Sequence, residues 1–513
     1  MTRTGRIVLI ALAVGLAVLG QGCGRGPDLG ACARAGRRPR IRPDYTDVVI
    51  PPNIAPLNFT IDEPGTRFHV RITGEAGGDI EVNARGPVVR IPPAEWRRLL
   101  DGNRGRGLQV DVCAESDDGR WIRYETIANR VAEEPIDRYV TYRLITPAFF
   151  WFRDSIEMGV YQRDMESFEE TPILRSASCP ARACMNCHAC AGNRASLMVL
   201  QLRGSIGPGM LVMRGGQAER VETSPWTRRG PVSLASLHPG GELLAFCRLK
   251  IEFFNNNAGT AREVFERASD IDLYRFDGDE FRNVPALSSP EYSETWPAWS
   301  GDGKHLYFCR TPIRWPSVSS GMVSMLPRVH REIRYDLMRV AYERETDAWG
   351  TPERVLAGEQ LGGSIAQPAV SPDGRFVVLC MLDRGMWPLT CPTADLHLLD
   401  TKTGAVAALA CNSDRSESSP RWSSNGRWVL FSSKRNDGVF TRLYVAYVDR
   451  DGRSAKALEL PQRSPALHAR LLKAYNLPQL LVEPVPFSEG ELVDVVGVTA
   501  TPRPNVMGLH TVH

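Results

Sequence analysis

The sequence contains Val370-Ser-Pro-Asp-Gly-Arg-Phe-Val-Val-Leu379, and three other stretches follow the same pattern. Each stretch has an apolar residue, then a tight turn that ends in glycine, then an apolar strand. The Asp-Gly and Asn-Gly pairs suit the positive φ angles of a hairpin turn. A repeat of this kind predicts a β-propeller, whose blades are four-stranded sheets of about 40 to 50 residues. The other three stretches are Leu237-His-Pro-Gly-Gly-Glu-Leu-Leu-Ala-Phe246, Trp299-Ser-Gly-Asp-Gly-Lys-His-Leu-Tyr-Phe308 and Trp422-Ser-Ser-Asn-Gly-Arg-Trp-Val-Leu-Phe431.

A second signal recurs within each repeat, at the start of another apolar run. Its members are Asp272-Leu-Tyr274, Asp336-Leu-Met338, Asp395-Leu-His397 and Arg442-Leu-Tyr444. The turn and strand signals together resemble the repeat of TolB-like (WD40-like) propellers. The resemblance implies an all-β fold with roughly five to six blades. The repeat defines four blades, a fifth is expected in residues 196–231, and a sixth would need the chain ends.

The chain of 513 residues is long enough for two or three domains. Residues 45–142 alternate apolar and polar side chains in short runs such as Phe68-His-Val-Arg-Ile72, which predicts a small β-sandwich domain. We expect this sandwich to be followed by a cysteine-rich connecting segment over 143–195 and by the TolB-like propeller over 196–480. A signal peptide over 1–23, a linker over 24–44 and a C-terminal tail over 481–513 complete the expected organisation.

The N-terminus is typical of an exported protein. Arg3 and Arg6 precede an apolar run from Ile7 to Leu19, as in a secretory signal peptide. The following Leu19-Gly-Gln-Gly-Cys23 resembles a bacterial lipoprotein box, although its leucine stands four residues before the cysteine. We expect a location in the periplasm or at the outer membrane, with a lipid on Cys23 as the only attachment to the membrane. Secretion without a lipid and a retained membrane anchor remain open.

The segment Cys184-Met-Asn-Cys187-His188 has the C-x-x-C-H spacing of c-type haem attachment. Two thiols at this spacing can bond the two vinyl groups of one haem, and the adjacent imidazole can bind the iron as its proximal ligand. We therefore expect covalent haem c on Cys184 and Cys187, with His188 on the iron. A zinc or iron–sulfur site with Cys179 and Cys190, or two disulfides among these four thiols, remain open.

Two further stretches carry a resemblance beyond this motif. The segments Asp44 to Phe59 and Gly159 to Asp164 look like parts of a group of exported bacterial TolB-like proteins that also bear Cys-Met-Asn-Cys-His. The resemblance implies that a propeller and an attached haem occur in one chain.

A distal iron ligand is expected beyond the motif. Met198 is the main candidate because it follows His188 by ten residues, at the start of an apolar run. A role as an ordinary core residue competes with this interpretation. Met210, Met213 and His238 are the alternative ligands, and a vacant or water-bound sixth position remains open.

Three other cysteines occupy equivalent places in the repeat. Cys247, Cys309 and Cys380 each lie six residues after the glycine of their turn. Equivalent positions on neighbouring blades are too far apart for the Cα separation that a disulfide needs. We expect these three residues to be small buried strand residues and not ligands.

Composition and motifs limit the function. The formal net charge of +3 gives no reason to expect nucleic-acid binding. No catalytic residue is predicted, because no Ser-His-Asp arrangement, glycine-rich phosphate loop or paired-carboxylate motif stands out. We expect a monohaem protein that transfers electrons or senses redox state or a ligand, while the propeller docks an unidentified envelope or redox partner. The alternative is a non-enzymatic propeller scaffold for protein or glycan binding, in which the cysteine cluster is structural and holds zinc or disulfides.

Overall fold

The computed structural model describes residues 26–146, 157–180, 183–204, 206–223, 226, 232–254, 263–313 and 330–497. The signal segment and Cys23 therefore lie outside the described residues. Among the residues that are described, no helix is both long and apolar enough to cross a membrane.

The N-terminal part of the described chain is a β-sandwich. Its larger sheet has seven strands and its smaller sheet has three. The larger sheet contains β1 (Ala33–Arg34), β3 (Val49–Ile50), β5 (Arg67–Gly74), β6 (Asp79–Ala84), β8 (Gly107–Glu115), β9 (Trp121–Arg123) and β10 (Ile127–Val131). The smaller sheet contains β2 (Ile41–Arg42), β4 (Phe59–Ile61) and β7 (Val88–Val89), and helix α1 (Pro93–Gly102) follows it.

The alternation of the sequence explains the sandwich. Phe68, Val70 and Ile72 of β5 are buried in one apolar core with Val112 of β8, while the residues between them face away from it. Side chains alternate between the two faces of a strand, so every second side chain lies on the same face.

Six sheets follow the sandwich, and each is a propeller blade of antiparallel strands. The first blade joins the C-terminal strand β35 (Ala474–Leu481) to β11 (Tyr139–Ile145), β12 (Met158–Asp164) and β13 (Glu170–Arg175). The second consists of β14 (Cys184–Ala191), β15 (Arg194–Arg203), β16 (Gly209–Arg214) and β17 (Gln217–Glu222). The third consists of β18 (Val232–Leu237), β19 (Leu243–Phe254), β20 (Glu263–Arg275) and β21 (Glu280–Asn283).

The remaining three blades contain the clearest sequence repeats. The fourth consists of β22 (Tyr292–Trp299), β23 (His305–Pro312), β24 (Asp336–Glu343), β25 (Ala348–Trp349) and β26 (Glu353–Leu356). The fifth consists of β27 (Ser364–Val370), β28 (Phe376–Leu382), β29 (Asp395–Asp400) and β30 (Val406–Ala408). The sixth consists of β31 (Glu417–Trp422), β32 (Trp428–Ser433), β33 (Arg442–Tyr447) and β34 (Leu458–Glu459). Three short 3₁₀ helices (Ser176–Ser178, Glu359–Leu361 and Pro388–Thr390) and helix α2 (Glu489–Gly497) complete the described elements.

The inner strands of the blades form a closed ring. Each of β14, β18, β22, β27, β31 and β35 contacts the next one, and β35 contacts β14. The ring closes because β35, from the C-terminal end of the chain, pairs with β11, so that Tyr139 lies opposite Leu481. The fold is therefore a β-propeller, as the repeat predicted.

The structure corrects three of the expected boundaries. The segment 143–195 is not a separate connection, because its described parts belong to the first two blades. Residues 26–44 are not a free linker: β1 and β2 pair within the sandwich, and Arg37 holds the buried carboxyl of Glu63 and lowers its pKa to about 2. The described part of the C-terminal tail forms α2, whose Leu492 and Val496 are buried against the first two blades.

The predicted placement of the repeat cysteines in buried strands is confirmed. Cys247, Cys309 and Cys380 lie on the second strand of their blades, are fully buried and are free thiols. Their side chains belong to the large apolar core that the third to sixth blades share.

Sandwich and propeller share a second apolar core. Trp428 and Leu430 of the sixth blade are buried in the same cluster as Val70 and Val112 of the sandwich. The indole nitrogen of Trp428 also donates a hydrogen bond to the carbonyl oxygen of Glu134 at 3.1 Å. The sixth blade is therefore fastened to the segment that leads from the sandwich into the propeller.

We predict that Trp428→Ala destabilises the protein strongly, because it opens a cavity in this shared core and removes the hydrogen bond to Glu134. The expected loss in the free energy of unfolding is about 3–5 kcal/mol. Denaturant titration measures the loss, with Trp121→Ala as the matched control, since Trp121 is only partly buried. Equal losses in the two variants would contradict a shared core at Trp428.

Candidate functional site

The C-x-x-C-H motif lies on a propeller strand. Cys184–Ala191 is β14, the inner strand of the second blade, and it pairs with β15. The pairing shifts register between Met185 and His188, because Met185 lies opposite Leu202 and His188 opposite Leu200. Such a shift is a β-bulge, which inserts an extra residue and redirects the side chains around it.

The other five inner strands have a bulge at the same place. In each of them, one residue with positive φ occupies the bulge: Leu234, Trp296, Gln367, Ser419 and Leu477, with φ between 47° and 55°. Proline follows directly in four of these strands, at positions 297, 368, 420 and 478, and alanine follows in the fifth, at 235. Cys187 therefore stands where four other blades have proline. The motif occupies a repeated position of the propeller and interrupts none of its strands.

All six inner strands line one pocket in the centre of the ring. Its polar lining residues are His188, Gln367 and Arg421. The other lining residues are Cys187, Leu234, Ala235, Trp296, Pro297, Pro368 and Leu477. The bulges thus bring Cys187 and His188 to the propeller channel, together with residues nearly three hundred positions away in the chain.

His188 is buried and neutral. One ring nitrogen, Nε2, is hydrogen bonded to the hydroxyl of Thr141 at 3.1 Å, and the other, Nδ1, has no partner in the described structure. Burial, aided by the positive charges of Arg143 and Arg421, lowers the pKa of His188 to about 3. The residue is thus an uncharged imidazole at neutral pH, which is the form that binds metals.

The two motif cysteines are free thiols in different surroundings. The sulfur of Cys184 contacts the sulfur of Met158 at 3.5 Å and accepts a hydrogen bond from Nε of Arg203 at 3.4 Å. The sulfur of Cys187 accepts a hydrogen bond from the backbone N–H of Leu234 at 3.5 Å. Neither thiol is bonded to another cysteine.

The flanking cysteines do not join the motif in a cluster. Cys179 and Cys190 are also free thiols, and burial raises their pKa values to about 11 and about 12. Within the described ranges, no group of three or more histidines, cysteines or acidic residues is placed to hold a metal ion. The four thiols are therefore not assembled into the zinc or iron–sulfur arrangement that the sequence left open.

Three arginines surround the motif without acidic partners. Arg143 donates to the side-chain oxygen of Asn186, Arg203 donates to Cys184, and Arg421 donates to the carbonyl of Pro420 at 2.8 Å. None of the three forms an ion pair with a carboxylate of the described chain. Burial lowers the pKa of Arg143 and of Arg421. Positive charge without a counter-charge in a partly buried place is costly and favours an acidic ligand.

None of the candidate distal ligands lines the pocket. Met198 is fully buried on β15 in the apolar layer between the first two blades, and Met213 lies in the same layer. Met210 is buried between the second and third blades, and His238 is held by the carbonyl of Gly303 at 3.1 Å. This placement favours a core role for Met198, and its role as a distal ligand stays a prediction.

Arg143, Gln367 and Arg421 were not predicted from the sequence. Gln367 accepts a hydrogen bond from the backbone N–H of Ser419 at 2.6 Å, while its amide nitrogen has no partner among the described atoms. A sequence pattern that marks Gln367 and Arg421 was present. The repeats carry Trp296-Pro, Gln367-Pro and Ser419-Pro at one fixed distance before each turn, and Arg421 follows the last of these pairs. No sequence pattern marks Arg143, since it lies in the first blade and the motif lies in the second.

Two other blades carry a buried acid at the position of Cys184. Glu417 on β31 pairs with Arg435 at 3.0 Å, whereas both carboxyl oxygens of Glu294 on β22 lack a hydrogen-bond partner in the described structure. Burial, with the nearby charge of Asp270, raises the pKa of Glu294 to about 9. The inner-strand position two residues before the bulge therefore holds a polar group in three blades.

Comparisons with known proteins give only weak similarities. No protein-family model and no curated protein matches the chain. An oligogalacturonate lyase of Vibrio parahaemolyticus is 14% identical over 82% of this chain and 92% of that chain, with a TM-score of 0.34. A Cps50 β-propeller domain of Myceliophteria thermophila is 14% identical over 60% and 84%, with a TM-score of 0.33. Similarities at these TM-scores do not assign a fold or a function to this chain. The propeller assignment rests on the six sheets.

We predict that Arg421→Met leaves the melting temperature of the ligand-free protein unchanged or raises it, because the change removes a charge without an acidic partner. Arg435→Met is the matched control. It leaves Glu417 buried and unpaired and should cost about 3 kcal/mol. Calorimetry at pH 7 compares the two variants. A similar loss in both would show that Arg421 already has a counter-charge.

We predict that Glu294 makes the protein less stable at alkaline pH. Its pKa is about 9 in the folded chain and about 4.3 when unfolded, so the folded state keeps a proton that the unfolded state releases. Its stabilising effect is complete below the unfolded pKa and is lost as pH rises towards 9. Melting temperatures at pH 7.5 and 8.5 should differ less in Glu294→Gln than in wild type. The exposed Glu345→Gln should retain the wild-type difference, and an unchanged difference in Glu294→Gln would contradict the prediction.

Proposed function

We propose that this chain is an envelope-located monohaem c-type protein, with haem c bonded to Cys184 and Cys187 and with His188 as the proximal iron ligand. One observation carries the proposal. Two free thiols and a neutral imidazole with an unpartnered ring nitrogen lie around the guanidinium of Arg143, which has no carboxylate partner in the described chain.

Each group at the candidate site matches a part of haem. The thiols can form thioethers, and the imidazole can bind iron without first losing a proton. A haem also carries two propionate carboxylates, and arginine is the side chain best matched to carboxylates. Arg143, Arg203 and Arg421 are the residues that would neutralise them.

The chain's own residues would hold and orient this group. Thr141 fixes the His188 ring by bonding one nitrogen and so leaves the other available to a metal. Trp296, Leu234 and Leu477 supply apolar walls from three other blades. A bound haem would supply one-electron transfer or the binding of a small ligand.

The other parts of the proposal follow from the sequence. The resemblance to exported TolB-like proteins and the signal segment support an envelope location with a lipid on Cys23. Electron transfer requires no acid, base or nucleophile, and no catalytic motif stands out in the sequence. The propeller would then dock an envelope or redox partner, and its ring would hold the haem close to that partner.

The competing function is a propeller scaffold whose cysteines are structural. It has less support, because the described cysteines are not gathered as a metal site. The scaffold function is still supported by the position of the motif, which occupies a regular place in the inner-strand repeat.

We predict that the protein coexpressed with c-type maturation machinery is red and shows a pyridine haemochrome spectrum. The haem should survive denaturing electrophoresis. Cys184→Ala with Cys187→Ala should abolish covalent haem, and His188→Ala should remove or alter the low-spin spectrum. Cys391→Ala, outside the motif and only partly buried, should behave as wild type. A colourless wild-type product would contradict the proposal.

A further inference from the structure

The outer face of the larger sandwich sheet is covered by the N-terminal end of the described chain. Phe68 and Val70 of β5 point into the core, so His69 points out, and its partner across the sheet is Cys113 of β8. Gly26 lies directly on the His69 ring: a Cβ at residue 26 would come within 2.4 to 2.9 Å of three ring atoms. The segment that starts at Gly26 therefore crosses this face.

The same segment brings Cys32 to Cys113. Residues 33 and 34 form β1, which pairs in parallel with β9, and Cys113 on β8 lies opposite Arg123 of β9. The Cys32 thiol donates a hydrogen bond to the carbonyl oxygen of Asp28 at 3.3 Å and lies beside the Cys113 thiol, whose pKa it raises, and both thiols lie near the guanidinium of Arg123. Cys113 is fully buried although it is on the outer face of the sheet, whereas Cys32 is partly exposed. The covering segment explains that burial.

We propose that Cys32 and Cys113 form a disulfide that fastens the N-terminal segment to the sandwich. The proposal rests on the exported location proposed above, since disulfides persist outside the cytosol. Residues 179, 184, 187 and 190 take no part in it, so it is independent of the haem.

The oxidation is a thiol–disulfide exchange with a thiol oxidoreductase in its disulfide form. The Cys32 thiolate attacks one sulfur of that disulfide, and a mixed disulfide forms. The Cys113 thiolate then attacks the Cys32 sulfur, the S–S bond between residues 32 and 113 forms, and the oxidoreductase leaves as a dithiol with the two electrons and two protons. Cys32 reacts first because it is the accessible thiol.

The disulfide has a consequence for attachment to the membrane. Cys32 lies nine residues after Cys23 in the sequence. A lipid on Cys23 would thus be joined by a short segment to a fixed point on the sandwich, and an extended chain of this length spans at most about 30 Å. The outer face of the larger sheet would be held near the membrane surface.

A non-reducing digest of the full-length protein tests the pairing. Trypsin places Cys32 in the peptide 26–34 and Cys113 in the peptide 107–120, and each peptide contains one cysteine. One sample is purified from the envelope fraction after blocking free thiols. A second is reduced and then oxidised with glutathione disulfide. We expect the two peptides to be linked in both samples, while Cys391 is alkylated.

A stability measurement accompanies the digest. Reductant should lower the melting temperature of the wild type by about 5 °C, since the disulfide closes a long loop. It should leave that of Cys32→Ser unchanged. The proposal is overturned if both peptides are alkylated in both samples, or if either cysteine is linked elsewhere. A linked pair in a protein without a Soret band would refute the haem and retain the disulfide.

Discussion

The bulge on each inner strand is the constraint on which the site depends. A regular strand would send alternate side chains to opposite faces. The extra residue in the bulge turns residues such as Trp296 and Gln367 into the centre of the ring. Because β14 has the same shift, Cys187 and His188 enter the channel as the second blade's contribution to a six-fold pattern.

The charges around the channel follow from this geometry. At the inner-strand position two residues before the bulge, Glu417 contacts Arg435 and Cys184 contacts Arg203. The carboxyl oxygens of Glu294, at the same position, have no hydrogen-bond partner in the described structure. In the second blade this position holds a thiol, and the arginines around it have no carboxylate partner in the described chain. This arrangement of thiols and arginines is our reason for proposing the second blade as the functional one.

Much of the fold could be predicted from the sequence, because turns and strands are local. The Ser-Pro-Asp-Gly turn fixes a hairpin wherever it occurs, and the alternation in β5 fixes a buried face. The boundaries could not be predicted, since β11 finds its partner β35 more than three hundred residues away. Only the local part of the candidate site could be proposed from the sequence. The spacing indicated Cys184, Cys187 and His188, whose roles stay predictions. Thr141 and Arg143 come from another blade. The expected separation of the motif from the propeller was wrong because its strand fits the repeat.

The central claim is that the motif strand stays in the propeller and presents iron to the channel. Anomalous diffraction at the iron edge, on crystals of the matured protein, tests this most directly. The account predicts one iron peak bonded to the His188 ring within the ring of inner strands, with β14 still paired to β15. An absent peak, a peak away from His188, or sulfurs of Cys184 and Cys187 bonded to each other would contradict it.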